Sequence, residues 1–269
     1  MPGWWVLDTR MTAPWGPPID VLPLLVREEQ ALIGVLSDLR PAEWALPALG
    51  EWTVHDLTAH VLGLKLRRLS RDRDGHLADE APWVPACRQL SPEVLFAMFV
   101  DSTTQLTELW KHRDLDEPAA APLWLTVARD YAEQWVHQQQ IREAVGAPLL
   151  DEPEFQTPVV DAFLRALPQT LRTVTARTGR QVACSVEGAG RWTVRATAVG
   201  WTIDRGAATS RSPLASMATD ADAFWRLCSG TLPAAEVGAR VRLSGDPAVC
   251  EILLGLRSRE CSCRLVLQL

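Results

Sequence analysis

The chain has 269 residues, 47% of them hydrophobic and 22% charged, which excludes global disorder and is enough for one large folded domain or two ordinary ones. A formal charge of −6 and the lack of any long Lys/Arg block exclude the basic field that draws in nucleic-acid phosphates. Met1 to Arg10 has no basic and apolar leader pattern, and no apolar run approaches the roughly 20 residues that span a bilayer, so the expected protein is cytoplasmic and engages neither nucleic acid nor membrane. Oligomeric state is not legible.

In chain order, apolar residues at helical spacing predict four helices in the first half. The first covers about Ile19 to Arg40, with Leu22, Leu25, Leu32, Val35, Leu36 and Leu39 forming one stripe and Pro23 tolerated in the opening turn. The second begins at Thr53, whose hydroxyl pairs with Asp56 in a capping box before the apolar run Leu57 to Leu69. Ser91-Pro92-Glu93 opens the third, which runs to about His112, through an N-cap hydroxyl, proline in the first turn and an acid at the positive dipole end. The fourth covers about Pro122 to Val145 and stops at Gly146, a residue suited to the left-handed C-terminal conformation. The Pro- and acid-rich stretch Leu149 to Pro158 reads as a linker, dividing the chain into residues 1–150 and 151–269.

The second part changes character. A helix near Phe155 to Arg177 precedes two alternating segments, Gln181 to Val186 and Trp192 to Ile203, which read as antiparallel strands. Ala221 to Cys228 forms a short helix ending at Gly230, and Gly245-Asp246-Pro247 opens another through Leu256 after the strand-like Val241 to Leu243. The expected class is α+β: an N-terminal four-helix bundle followed by a smaller α+β domain.

Candidate chemistry rests on few residues. The six cysteines show no paired spacing and read as buried or idle thiols, with Cys261-Ser262-Cys263 a weak metal candidate. Among the five histidines, His60 lies two turns into the second helix between apolar neighbours and is expected to face the bundle interior. On the fourth helix Glu133 and His137 are four residues apart and share a face. Two imidazoles and one carboxylate converging from two helices suit Zn²⁺ or another divalent transition ion with positions left open. Taken alone, Glu-x-x-x-His is more often a weakly interacting surface pair, and a single buried histidine more often a hydrogen-bonded core residue. His55 lies about 140° around the helix from His60, on another face; His76 and His112 fall near charged breaks. Arg67, Arg68 and Arg142 flank the candidate site and could receive an anion, although solvated helix faces are the commoner account of such arginines. Trp124, Trp135, Trp192 and Trp225 are placed like core anchors.

The stretch from Gly50 to His60, ending Thr58-Ala59-His60, resembles the first signature of the thiol-dependent maleylpyruvate isomerase and DinB-like superfamily, and Glu133 to Arg142 resembles its second. Thr219 to Gly230 and Arg240 to Pro247 are similar to the sterol-carrier-like C-terminal domain of the same isomerases. The resemblance implies a DinB-like metal-binding bundle followed by a sterol-carrier-like domain, with His60, Glu133 and His137 as metal ligands. It implies a divalent ion, Zn²⁺ first and Ni²⁺ or Fe²⁺ next, with a low-molecular-weight thiol such as mycothiol or bacillithiol as co-substrate. The bound thiolate would add to an activated cis double bond of a small-molecule substrate, permit rotation and leave, or take part in a related S-transfer. A non-catalytic metal or hydrophobic-ligand binder and a metal-dependent hydrolase are the alternative activities. One departure stands out: many isomerase-like members carry an aspartate where this chain has Gln140.

Overall fold

A computed structural model of the chain describes residues 14–74, 83–115 and 122–256. They form two compact units, one of residues 19–159 and the other of 14–18 with 160–256.

The first unit is built on four long helices: α1 (Leu22–Ser37), α2 (Val54–Asp74), α4 (Pro92–Lys111) and α5 (Leu123–Val145), with a short α3 (Trp83–Cys87) before α4. The start and stop signals act as the sequence predicts. Thr53 Oγ1 accepts from the Asp56 amide at 3.2 Å while Asp56 Oδ2 accepts from the Thr53 amide at 3.2 Å. Ser91 caps α4 through the Val94 amide, and Gly146 ends α5 at φ 69°. Between α1 and α2 the chain makes a small hairpin, β1 (Pro47–Leu49) and β2 (Trp52–Thr53), that the helical reading did not anticipate. Gly63 in α2 lies under the Trp83 ring, where a Cβ would come within 2.6 Å of a ring atom, so α3 packs where only glycine gives room.

The bundle core is mixed in polarity. Leu32, Leu57, Leu62, Leu95 and Phe99 form an apolar cluster with no exposed surface beyond 2%. Beside it Lys65 and Glu29, 4% and 3% exposed, form an ion pair at 2.6 Å, and Thr107 Oγ1 donates to the second Glu29 oxygen at 2.9 Å. Lys65 is one of only two lysines in the chain, and its ammonium also lies 5.3 Å from the centre of the Phe99 ring.

The expected linker is partly fixed structure. Leu150 is held to α5 by the Gln139 amide, which accepts from its N–H at 3.0 Å and donates to its carbonyl at 2.7 Å. Helix α6 (Pro153–Leu164) starts inside the stretch, and the line between the two units falls within α6, after Val159. The single helix expected over Phe155 to Arg177 is instead α6, then α7 (Leu167–Thr170) and a 3₁₀ turn (Leu171–Thr173), because Pro168 cannot donate to a continuing ladder and restarts the helix.

The second unit contains a five-stranded sheet of β3 (Gln181–Glu187), β4 (Gly190–Thr197), β5 (Gly200–Arg205), β6 (Ala215–Asp220) and β7 (Arg242–Gly245), in the order β5-β4-β3-β6-β7. Helices α8 (Ala221–Ser229), α9 (Ala234–Arg240) and α10 (Pro247–Leu254) complete it. Register puts Cys184 beside both Trp192 and Met217, and Val194 beside Val182 and Ile203, so one face of four strands supplies the core. The expected all-antiparallel sheet is corrected on one point: β3 and β6 are parallel. The sequence reading missed β6 because Ala215-Ser216-Met217-Ala218 alternates only in burial, with small residues of weak strand preference. It also ran β4 and β5 together across the hairpin turn at Gly200. The expected α+β class, a helical domain followed by a sheet domain, is the observed one.

Removing one member of the Lys65–Glu29 pair strands a buried charge. Lys65→Met is expected to cost about 3–5 kcal/mol in urea unfolding, while Glu29→Leu combined with Lys65→Met recovers most of that loss. A single-variant cost below about 1 kcal/mol, the level of an exposed pair, would contradict the assignment.

Candidate metal centre

Helix α5 has almost no solvent-facing side from Tyr131 to Arg142, where Glu133 alone is more than 9% exposed. Its polar residues are therefore answered from within. Gln134 donates to the carboxylate of Glu28, Gln138 Nε2 donates to the Glu28 carbonyl at 3.2 Å, and Trp135 Nε1 donates to the Leu150 carbonyl at 3.0 Å. Arg142, read from sequence as a possible solvated cation, is buried and donates to the carbonyls of Pro148 at 2.7 Å and Ala31 at 3.2 Å. It is thereby committed to holding the end of α5.

On the α2-facing side of this helix, Glu133 and His137 meet His60. The three offer ligand atoms that all lie within 4.8 Å of one another. His60 Nε2 stands 3.7 Å from Glu133 Oε1, and the His60 and His137 rings are 4.9 Å apart, nearly perpendicular at 87°. His137 is fully buried, and the His60 and Glu133 side chains are 10% and 15% exposed. Ligand atoms about 2.0–2.1 Å from a tetrahedral Zn²⁺ lie about 3.3 Å from each other, so small side-chain rotations close this triangle around a cation. Glu133 Oε1 is buried and accepts no hydrogen bond among the described residues, and a metal–carboxylate bond would satisfy it. The donor set and its spacing thus fit a divalent ion.

Two neighbours orient the imidazoles. The ring centre of Trp52, carried on β2, is 5.1 Å from that of His60. His137 Nδ1 is 2.9 Å from Gln140 Oε1, one turn further along α5. Neither role was read from the sequence: the tryptophan depends on the short hairpin, and the glutamine was singled out only as a departure from a family pattern.

The remaining candidates lie elsewhere. His55 Nε2 is 3.1 Å from the Leu90 carbonyl and its ring packs on Trp44. His112 is exposed near Glu108. His76, Cys261 and Cys263 fall outside the described residues. Cys87, Cys184 and Cys228 are buried, and burial pushes the Cys184 thiol up to about 12, which removes it as a nucleophile at neutral pH. Arg68 is half-buried in a two-bond pair with Asp130, both bonds 2.7 Å, and therefore does not present a solvated helix face. A cavity of about 20 Å³ bordered by Glu29, Lys65, Arg68, Asp130 and Gln134 has room for about one water molecule and none for an organic substrate. Trp124, Trp135, Trp192 and Trp225 are all buried as expected.

Burial raises Asp130, opposed by the Arg68 charge. Burial pushes Glu28 from its ordinary 4.5 up to about 8, against the pull of Gln134 and Lys65. A carboxyl group bound more tightly to its proton in the folded state gives stability that is complete below pH 4.5 and declines as pH rises through about 8. Chemical-denaturation stability measured from pH 5 to 9 is therefore expected to fall toward the alkaline side. Glu28→Gln, which keeps a neutral side chain of the same shape, should flatten that slope, and an unchanged slope would remove Glu28 as its source.

Residues 25–142 match the family model described as the mycothiol maleylpyruvate isomerase N-terminal domain. Among solved structures, the crystal structure of the mycothiol-dependent maleylpyruvate isomerase aligns with a TM-score of 0.53 at 17% identity, covering 83% of this chain and 91% of the other. A histidine-to-alanine mutant of that isomerase aligns equally well, at 18% identity and the same coverage. Curated protein sequences give no match.

Proposed function

From the match of residues 25–142 to the mycothiol maleylpyruvate isomerase N-terminal domain, we propose that the chain is a metal- and thiol-dependent enzyme of the isomerase or S-transferase type. The observation that carries the proposal is the convergence of His60, Glu133 and His137. Two neutral imidazoles and a carboxylate would hold a divalent cation of the Zn²⁺ kind, which supplies an open position where a low-molecular-weight thiol is kept as thiolate at neutral pH.

The chain's own residues prepare that position. His60 comes from α2 and Glu133 and His137 from α5, so the ligand geometry rests on two packed helices rather than on a loop. The Trp52 ring beside His60 restricts imidazole rotation and keeps water from one side of the site. A thiol bound there as thiolate would supply the nucleophile for reversible addition to an α,β-unsaturated carbonyl compound, the chemistry that cis–trans isomerisation and S-transfer share. Mycothiol and bacillithiol are the thiols this reading favours, and the mycothiol dependence of the similar solved isomerase is its support.

Purified protein is expected to carry about one equivalent of transition metal by elemental analysis, and His60→Ala to lose most of it together with thiol-dependent turnover. Assays with mycothiol, bacillithiol and glutathione against a cis-configured unsaturated acid measure the turnover. Equal metal content in both forms would remove His60 as a ligand, and no turnover with any thiol at full metal occupancy would reject the enzyme reading.

A further inference from the structure

Resting on the metal reading above, we infer that Gln140 is a positioning residue that sets the tautomer of His137 and thereby tunes the metal centre. A glutamine carbonyl oxygen is only an acceptor, so the 2.9 Å contact from His137 Nδ1 to Gln140 Oε1 requires the hydrogen to sit on Nδ1. Nε2 then carries the lone pair, and it is the nitrogen left to coordinate. With His137 fully buried and Gln140 3% exposed, water does not compete for this bond. Both residues lie on α5 three positions apart, a spacing that brings their side chains together without help from any other element.

The chemistry of the acceptor also matters. A carboxylate in this place would draw the Nδ1 proton toward itself and make the imidazole a stronger donor, adding negative charge next to the ion. The amide fixes the same tautomer while adding none. A divalent ion held by His137 would keep more of its positive charge, which would favour an anionic ligand in its open position over a neutral one.

Two measurements test this. In metal-free wild-type protein, ¹⁵N NMR of the histidine ring nitrogens, with His137 assigned by loss of its signals in His137→Gln, is expected to show the Nδ1–H tautomer. A protonated Nε2 would overturn the inference without reference to any metal. Separately, Zn²⁺ affinity is measured by chelator competition on wild type, Gln140→Met and Gln140→Glu. The methionine variant is expected to bind about 10–100-fold more weakly, and the glutamate variant, which restores an acceptor, to recover wild-type affinity or exceed it. Wild-type affinity in Gln140→Met, or no recovery in Gln140→Glu, would reduce Gln140 to packing. Absence of Zn²⁺ binding in the wild type would instead overturn the metal reading itself.

Discussion

The structure of the bundle depends on one constraint: the second half of α5 is shut away from water on nearly every side. A polar group there keeps its place only if protein or ligand replaces the hydrogen bonds lost to solvent, at a cost of about 1–3 kcal/mol for each one left unanswered. The sequence Gln134 to Arg142 contains six polar side chains in nine positions, an expensive choice for a core helix. Gln139 answers it by reading both backbone groups of Leu150, Gln134 and Gln138 by gripping Glu28, and Arg142 by capping two carbonyls. These contacts fix the rotation of the helix about its own axis, and that rotation aims Glu133 and His137 at α2.

Charge inside the bundle follows the same economy. Glu29 is neutralised by Lys65, Asp130 is met by Arg68, and burial favours the protonated, uncharged form of Glu28. Glu133 faces two imidazoles. On the proposed reading a divalent ion completes this pairing and retains one positive charge, and a thiolate neutralises the remainder. A neutral cluster is the cheapest arrangement to bury, so the same surroundings that select a cation would also select the deprotonated form of its thiol ligand.

Much of this was legible in the sequence, for identifiable reasons. Helix ends were readable because caps are local: Thr53 with Asp56, Ser91 with Pro92, and Gly146 each act within four residues. His60, Glu133 and His137 were readable as inward-facing candidates because helical spacing and apolar neighbours indicate which side chains turn inward, and as one ligand set through the resemblance to a known family. What could not be read depended on distant partners. The parallel pairing of β3 with β6 joins segments about thirty residues apart in sequence, and the small side chains of β6 carry little strand preference. The Lys65–Glu29 pair, the Glu28–Gln134 contact and the Trp52 wall each link different elements, and no local pattern announces them.

Fold and chemistry are also supported by different kinds of observation. A likeness at 17–18% identity shows a shared arrangement of elements, because packing tolerates wide substitution among apolar residues of suitable volume. Chemistry tolerates far less: a ligand atom displaced by an ångström no longer coordinates, and a changed acceptor behind a ligand alters what the ligand donates. The convergence of His60, Glu133 and His137 is therefore the part of this structure from which function can be argued. Gln140 stands where the two levels meet. It occupies a helix position that packing alone would fill with any buried residue of its size, yet its amide oxygen faces the one ring nitrogen whose protonation decides which side of His137 is offered to a cation.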